Sequence, residues 1–279
     1  MLRDITIGQY YPADSFVHKL DPRFKILAVL AYIIAAFFVK TYIGLFVLLA
    51  FLTVAVAASR IPLKVLLRGL KAIYVLLGIT FVFNALLSGG QTEYFRLWIF
   101  RLTREGLVRA VFMALRLIML ITGASLLTLT TAPIALTDGM ERLLSPFAKL
   151  HFPAHEVHEL AMMMTIALRF IPTLMEEADR IIKAQSARGA SFDEGGLIKR
   201  AKSVIPLLVP LFVSAFRRAE ELAMAMEVRC YHGEGRTRLH VLRFTRRDAI
   251  GLAAFALLIA AVAFDSAYIS VHMPYLLGI

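Results

Sequence analysis

The sequence predicts an all-α integral membrane protein with about five transmembrane helices and a cytoplasmic module of three helices. Three observations lead to this class. Hydrophobic residues make up 59% of the 279 residues and charged residues only 18%, whereas soluble domains are about 45–50% apolar. Long apolar runs recur along the chain. Finally, two long proline-containing segments carry so many Lys and Arg residues between them that they do not fit as spans.

Five apolar runs predict the membrane-spanning helices. The first three contain 16 or 17 residues, somewhat fewer than the roughly 20 that a hydrocarbon core of about 30 Å requires. Charged flanks such as Lys25, Lys40 and Lys71 are therefore expected to reach the headgroups. The runs are Phe24–Val39, Tyr42–Ala58, Ala72–Leu87, Leu107–Thr131 and Ala249–Phe264.

Two further apolar runs, Leu160–Met175 and Ser203–Phe216, are predicted not to cross the membrane. As spans they would place a loop with six Lys and Arg residues outside, against the positive-inside rule. The net charge of +11 is expected on cytoplasmic surfaces facing anionic lipid, not on a nucleic-acid interface. The predicted topology has the N-terminus inside and the C-terminus outside. Its regions are 1–23 (cytoplasmic segment), 24–131 (four spans), 132–245 (cytoplasmic module) and 246–279 (final span and outer tail).

Three helices are predicted in the cytoplasmic module. Asp138 followed by Glu141 resembles a capping box and begins a short helix ending near Leu150. Two long helices follow, Ala154–Ala187 and Leu197–Tyr231, which contain Pro172, Pro206 and Pro210. A proline inside a helix removes a backbone hydrogen bond, so both long helices are expected to bend.

The two long helices end alike, and these ends are the first candidate site. The first ends Ala187-Arg188-Gly189 and the second Val228-Arg229-Cys230. One explanation is a favourable interaction of each arginine with the helix dipole. The alternative is a docking contact, because small neighbours let a partner approach and a guanidinium pairs bidentately with carboxylates.

Methionines on the same two helices form the second candidate site. Met-rich faces repack easily and suit exchangeable partners. Core filling between the helices is the competing explanation. The residues are Met162, Met163, Met164, Met175, Met224 and Met226.

Three stretches resemble the transmembrane coupling component of energy-coupling factor (ECF) vitamin importers, which are ABC-type transporters. They are IGQYYPADSFVHKLDPRFKIL near the N-terminus, TIALRFIPTLMEEADRIIKAQSARG at 165–189 and AMEVRCY at 225–231. The N-terminal stretch favours the branch shared by several substrates over a dedicated metal importer.

The resemblance implies a prokaryotic cell-membrane protein in which crossed coupling helices end in Ala-Arg-Gly motifs that dock on two ATPase subunits. Arg188 matches the first motif fully. The second motif keeps Arg229, but both of its neighbours differ. The implied partners also include one exchangeable substrate-binding membrane subunit, and ATP and Mg²⁺ are held by the ATPases.

The chain itself is expected to be non-catalytic and to bind no cofactor or metal. It contains no Gly-x-x-x-x-Gly-Lys-Ser/Thr phosphate loop. The main alternative is a self-contained secondary transporter, which would need ionisable groups or broken helices at the membrane midplane. Arg116 is the candidate charge inside a span, and a structural role facing the bundle is expected for it. A membrane enzyme is a further alternative.

Overall fold

A computed structural model describes residues 10–71, 73–87, 93–97, 100–151, 154–190, 196–231 and 244–272. Helices dominate these ranges, which confirms the predicted all-α membrane class. They are α1 (Pro22–Phe38), α2 (Tyr42–Ser59), α3 (Leu63–Lys71), α4 (Tyr74–Leu87), α5 (Arg104–Thr130), α6 (Pro133–His151), α7 (Ala154–Ala187), α8 (Leu197–Val228) and α9 (Arg246–His272). A short antiparallel hairpin, β1 (Glu93–Leu97) with β2 (Phe100–Thr103), pairs Arg96 with Arg101.

Side-chain caps fix the starts of several helices. The Asp21 side chain accepts a hydrogen bond from the backbone N–H of Arg23, and Pro22 occupies the first turn of α1. Thr41 caps α2 and Thr103 caps α5 in the same manner. Each cap satisfies a backbone donor that has no partner within its helix.

The chain divides into two compact units, and the boundaries lie at 140/141, within α6, and at 241/242. One unit comprises residues 8–140 and 242–279 and contains α1–α5 and α9. Its core is a cluster that includes Tyr32, Leu48, Met119 and Phe255. The other contains residues 141–241, with α7 and α8 packed against each other.

Three helices of the described chain are long and apolar enough to cross a membrane: Tyr42–Ser59, Arg104–Thr130 and Arg246–Ala267. The pair α3 and α4, bent by 65°, counts as a fourth if it forms one broken span. Helix α1 has 17 residues, so its length is only about 25 Å. Its crossing of the membrane stays a prediction.

The structure corrects one local expectation and adds two elements between the long helices. Between α2 and α4 the chain forms the short amphipathic helix α3, which carries Lys64, Arg68 and Lys71. Between α4 and α5 it forms the β1–β2 hairpin. Helix α6 begins at Pro133, not near Asp138, because proline is favourable in the first turn of a helix and has no N–H to leave unpaired.

Lys25 is another correction, because its side chain is not at a headgroup position. It is only 5% exposed. Its ammonium donates to the carbonyl oxygens of His18 (3.1 Å) and Thr130 (3.0 Å) and to Thr131 Oγ1 (3.3 Å). A buried cation is stable only when oxygen atoms replace its water, and here Lys25 ties α1 to the end of α5.

Asp248 completes this buried polar cluster from the first turn of α9. Its carboxylate is 1% exposed and accepts from the backbone N–H of Asp21 at 2.7 Å. It also accepts from the N–H of Thr245 at 2.7 Å and from Thr245 Oγ1 at 2.6 Å. The start of α1 and the start of α9 are thereby held together.

Arg116 has the structural role that was expected for it. Its guanidinium donates to the carbonyl of Val39, which follows the last turn of α1, and lies 4.8 Å from the centre of the Phe112 ring. The cation thus satisfies a helix-end carbonyl that has no partner within its helix and stacks on an aromatic face.

Candidate functional site

The α7–α8 pair carries both candidate sites, and its two helices run antiparallel. Near one end of the contact, Tyr231 Oη donates to Met162 Sδ at 2.9 Å. Further along, Arg218 Nη2 lies 3.9 Å from Glu177 Oε2. As the residue numbers rise along α8 from 218 to 231, the numbers of their partners on α7 fall from 177 to 162, so the two helices are antiparallel.

Helix α7 ends in a Schellman turn at the first Arg motif. The N–H of Gly189 donates to Ser186 O at 3.0 Å, and the N–H of Ala190 donates to Gln185 O at 3.1 Å. Gly189 adopts a left-handed conformation with φ +88°. These are the 5→2 and 6→1 bonds that define the motif, and they leave Arg188 exposed at the helix end.

Helix α8 ends with the same hydrogen bonds, although the sequence differs. Here Cys230 N–H donates to Glu227 O at 2.9 Å and Tyr231 N–H to Met226 O at 3.1 Å. Cys230 adopts φ +53°, so it occupies the position that glycine holds after α7. The second motif therefore keeps the backbone form of the first, and Arg229 is likewise exposed.

Arg229 also lines a cavity of about 460 Å³ between α7 and α8. Two further arginines, Arg169 and Arg218, line the same cavity together with Glu221. Three guanidinium groups and one carboxylate give the cavity a positive charge, which suits acidic side chains of a partner. Sequence reasoning missed Arg169 and Arg218, because the antiparallel pairing that brings them to Arg229 is not evident from spacing along one helix.

The two motifs lie far apart along α7. Arg229 shares its cavity with Arg169, which precedes Arg188 by 19 residues. At 1.5 Å per residue this corresponds to about 28 Å. One small partner surface is therefore too short to contact both arginines.

The six methionines do not share one environment. Met162 is half-buried against Tyr231, as the core-filling explanation predicts. Met163 and Met224 are 57% and 60% exposed, and Met164 is also exposed. Met175 and Met226 are half-buried. The partner-contact hypothesis therefore rests on Met163, Met164 and Met224.

A larger apolar face lies on α8 and was not predicted as a site. Its side chains recur at helical spacing and are all exposed, up to 72% for Phe216. A 3.6-residue period of apolar residues in the sequence is the signal that would have found it. Its residues, here named the α8 apolar face, are Val204, Ile205, Leu208, Val209, Phe212, Val213 and Phe216.

Comparison with known proteins places the chain in a family. Residues 13–240 match the CbiQ family, described as "Cobalt transport protein". The energy-coupling factor transporter transmembrane protein EcfT of Clostridium kluyveri is 55% identical over 252 residues, covering 90% of this chain and 92% of that protein. The chain belongs to this family of energy-coupling factor transporter transmembrane proteins. The family assignment confirms the resemblance seen in the sequence.

Two further relatives with the EcfT name show how much of the chain the similarity covers. The protein of Acidaminococcus fermentans is 51% identical over 93% of this chain and 96% of its own length. That of Brevibacillus brevis is 49% identical over 94% of this chain and 98% of its own length. The likeness thus includes the membrane helices as well as α7 and α8.

Proposed function

We propose that the chain is the transmembrane coupling subunit of an ECF importer for vitamins or other micronutrients. In this role it transmits ATP-driven movement from two ABC-type ATPase subunits to a separate membrane subunit that binds the substrate. Family membership supports the transporter role. The observation that carries the coupling role is the identical Schellman turn that presents Arg188 and Arg229 at separate helix ends.

Each arginine end is assigned to one ATPase subunit. An exposed guanidinium at a helix end pairs bidentately with a carboxylate, and a separation of about 28 Å between the ends leaves room for two subunits. Helices α7 and α8 have 34 and 32 residues and pack against each other, so a displacement at one end moves the packed pair. ATP and Mg²⁺ are bound by the ATPases, and this chain performs no catalysis.

The substrate-binding subunit is assigned to the α8 apolar face, with Met163, Met164 and Met224 as further contacts. An exposed apolar surface formed by seven neighbouring side chains marks a site that contacts another protein or a membrane. Flexible methionines allow different binding subunits to use one surface. In the proposed topology the N-terminus and the α7–α8 pair are cytoplasmic and the C-terminus is outside.

The direct test is ATP-driven uptake in proteoliposomes that contain the chain, an ATPase pair and a binding subunit. Arg188→Glu is expected to abolish uptake while the variant still inserts and elutes as a monodisperse protein. Arg180→Glu is the control, because Arg180 is exposed on the same helix but is not at its end. Normal uptake by Arg188→Glu contradicts the proposal. Uptake by the chain alone under an ion gradient supports the secondary transporter instead.

A further inference from the structure

A basic pocket lies at one end of the membrane helices. Its cavity of about 520 Å³ is lined by Arg60 directly after α2, Arg247 in the first turn of α9, and Lys19 and Asp14 from the segment before α1. Three cations thus face one carboxylate. Asp14 is paired with Lys19 at 2.5 Å, so the two guanidinium groups remain for another anion.

The basic residues of this pocket affect the pKa of the Asp14 carboxyl. The hydrogen bond and charge of Lys19 lower the pKa of the Asp14 carboxyl, and the charges of Arg60 and Arg247 lower it further. Within the described ranges neither guanidinium makes a hydrogen bond or an ion pair, although the backbone N–H of Arg60 donates to the carbonyl of Ala57. Arginine is the side chain best suited to bidentate contact with phosphate.

An apolar cavity continues from the basic pocket into the helix bundle. It has a volume of about 200 Å³ and is lined almost entirely by apolar side chains of α1, α2, α5 and α9. Phe16 and Ala58 line both cavities, so the charged and apolar spaces adjoin. Val54, 67% exposed, lines the apolar cavity, so the cavity reaches the outer surface of the helix bundle.

These two cavities together match one class of ligand. We propose that they bind an anionic glycerophospholipid, with its phosphate at Arg60 and Arg247 and part of one acyl chain in the apolar cavity. The apolar lining of the inner cavity offers water few hydrogen-bond partners, so the cavity favours an apolar occupant. A protein cavity of about 150 Å³ is large enough to bind benzene. The 200 Å³ here therefore holds a segment of a chain. Free phosphate fills only the charged half.

The backbone of Arg60 is consistent with a functional position. Arg60 ends α2 in a left-handed conformation with φ 55°, where glycine or asparagine is favoured. A non-glycine residue in this conformation is uncommon and costs conformational energy, as residues at functional sites often do. In this conformation the chain turns sharply after α2, and Arg60 stays at the basic pocket.

The test uses the full chain in phosphatidylcholine vesicles with a phosphatidylglycerol probe that carries a photoreactive diazirine in one acyl chain. Labelled peptides are mapped by mass spectrometry. Labelling is expected on residues of α1, α2, α5 and α9 that line the apolar cavity. Unlabelled phosphatidylglycerol is expected to compete with the probe and reduce the labelling. Phosphatidylcholine and inorganic phosphate are expected to leave the labelling unchanged.

Two pairs of variants separate the site from general attraction to anionic lipid. The double variant Arg60→Gln/Arg247→Gln is expected to reduce labelling at least fivefold. Lys64→Gln/Arg68→Gln removes the same charge from α3 and is expected to stay within twofold of the wild type. Ala55→Phe fills the apolar cavity and is expected to abolish labelling there, whereas Ala50→Phe, on an exposed part of α2, is not.

Three results overturn the proposal. Competition by phosphatidylcholine equal to that by phosphatidylglycerol means general lipid contact. Full competition by inorganic phosphate means a phosphate site without a lipid. Equal losses in the two double variants mean that net charge, not the pocket, attracts the probe.

Discussion

Gly189 and Cys230 occupy the same backbone position at the ends of α7 and α8. Both are left-handed, with φ +88° and +53°, and in both turns the following residue donates to the carbonyl five residues before it. The change from glycine to cysteine in the second motif therefore preserves the turn that presents the arginine. It does so at a conformational cost, because a Cβ atom is unfavourable in this region.

Replacing Cys230 by glycine is expected to stabilise the chain. Removing the Cβ relieves the left-handed conformation, which costs an L-residue about 1 kcal/mol. The measurement is the thermal unfolding of the detergent-solubilised chain. Cys230→Ala is the control and is expected to stay close to the wild type, because it keeps the Cβ and removes only the thiol. An unchanged melting temperature for Cys230→Gly contradicts the assigned conformation.

The converse change at α7, Gly189→Ala, is expected to destabilise the turn by about 1 kcal/mol. A Cβ at Gly189 meets no atom within 4 Å, so the cost is purely conformational. Gly78→Ala is the control, because that Cβ also meets open space and the residue lies inside α4, where the helical backbone suits alanine. The control is expected to stabilise the chain by about 0.5–1 kcal/mol. Equal effects at both positions are incompatible with this explanation.

Lys25→Met is expected to destabilise the membrane unit by roughly 2–3 kcal/mol. The variant leaves buried carbonyl oxygens of His18 and Thr130 without their donor. Lys40→Met provides the comparison, because Lys40 is exposed at the end of α1. Thermal unfolding in detergent distinguishes the two. If Lys25→Met is as stable as Lys40→Met, the buried cluster does not tie α1 to α5.

The sequence was sufficient to predict the helical class and the bounds of α7, whereas α8 ends at Val228, three residues before the predicted end at Tyr231. Helix α7 has the predicted bounds, Ala154–Ala187, because an apolar period, an internal proline and a terminal glycine all agree. The position of Lys25 was not predictable. Local sequence places a lysine after Asp21-Pro22-Arg23 at the headgroups. Only the folded chain brings the carbonyls of distant residues to its ammonium.

The site shows the same division between local and tertiary information. Arg188 and Arg229 were found because each lies at a helix end, which is a local property. Arg169 and Arg218 line the same cavity as Arg229 only because of the register between α7 and α8. That register follows from packing between two helices, and spacing along one chain segment does not encode it.

Truncating the α8 apolar face is expected to weaken binding of the substrate-binding subunit about tenfold or more. The variant Phe212→Ala/Phe216→Ala removes two exposed aromatic rings, and aromatic anchors contribute most to interfaces. Both rings are exposed, so the fold is expected to be unaffected. The measurement is co-purification of the binding subunit. Leu257→Ala, at an equally exposed position on α9, is the control, and equal loss in both variants contradicts the assignment.

The central claim is that the ends of α7 and α8 each dock one ATPase subunit. Its most direct test is co-expression of the chain with an ATPase pair, followed by purification in detergent and mass determination by light scattering. The wild type and Arg180→Glu are expected to retain two ATPase subunits. Arg188→Glu and Arg229→Glu are each expected to weaken the complex at least about 30-fold, because an unpaired or repelling charge costs 2 kcal/mol or more. A wild-type complex that both variants retain in full would contradict the account.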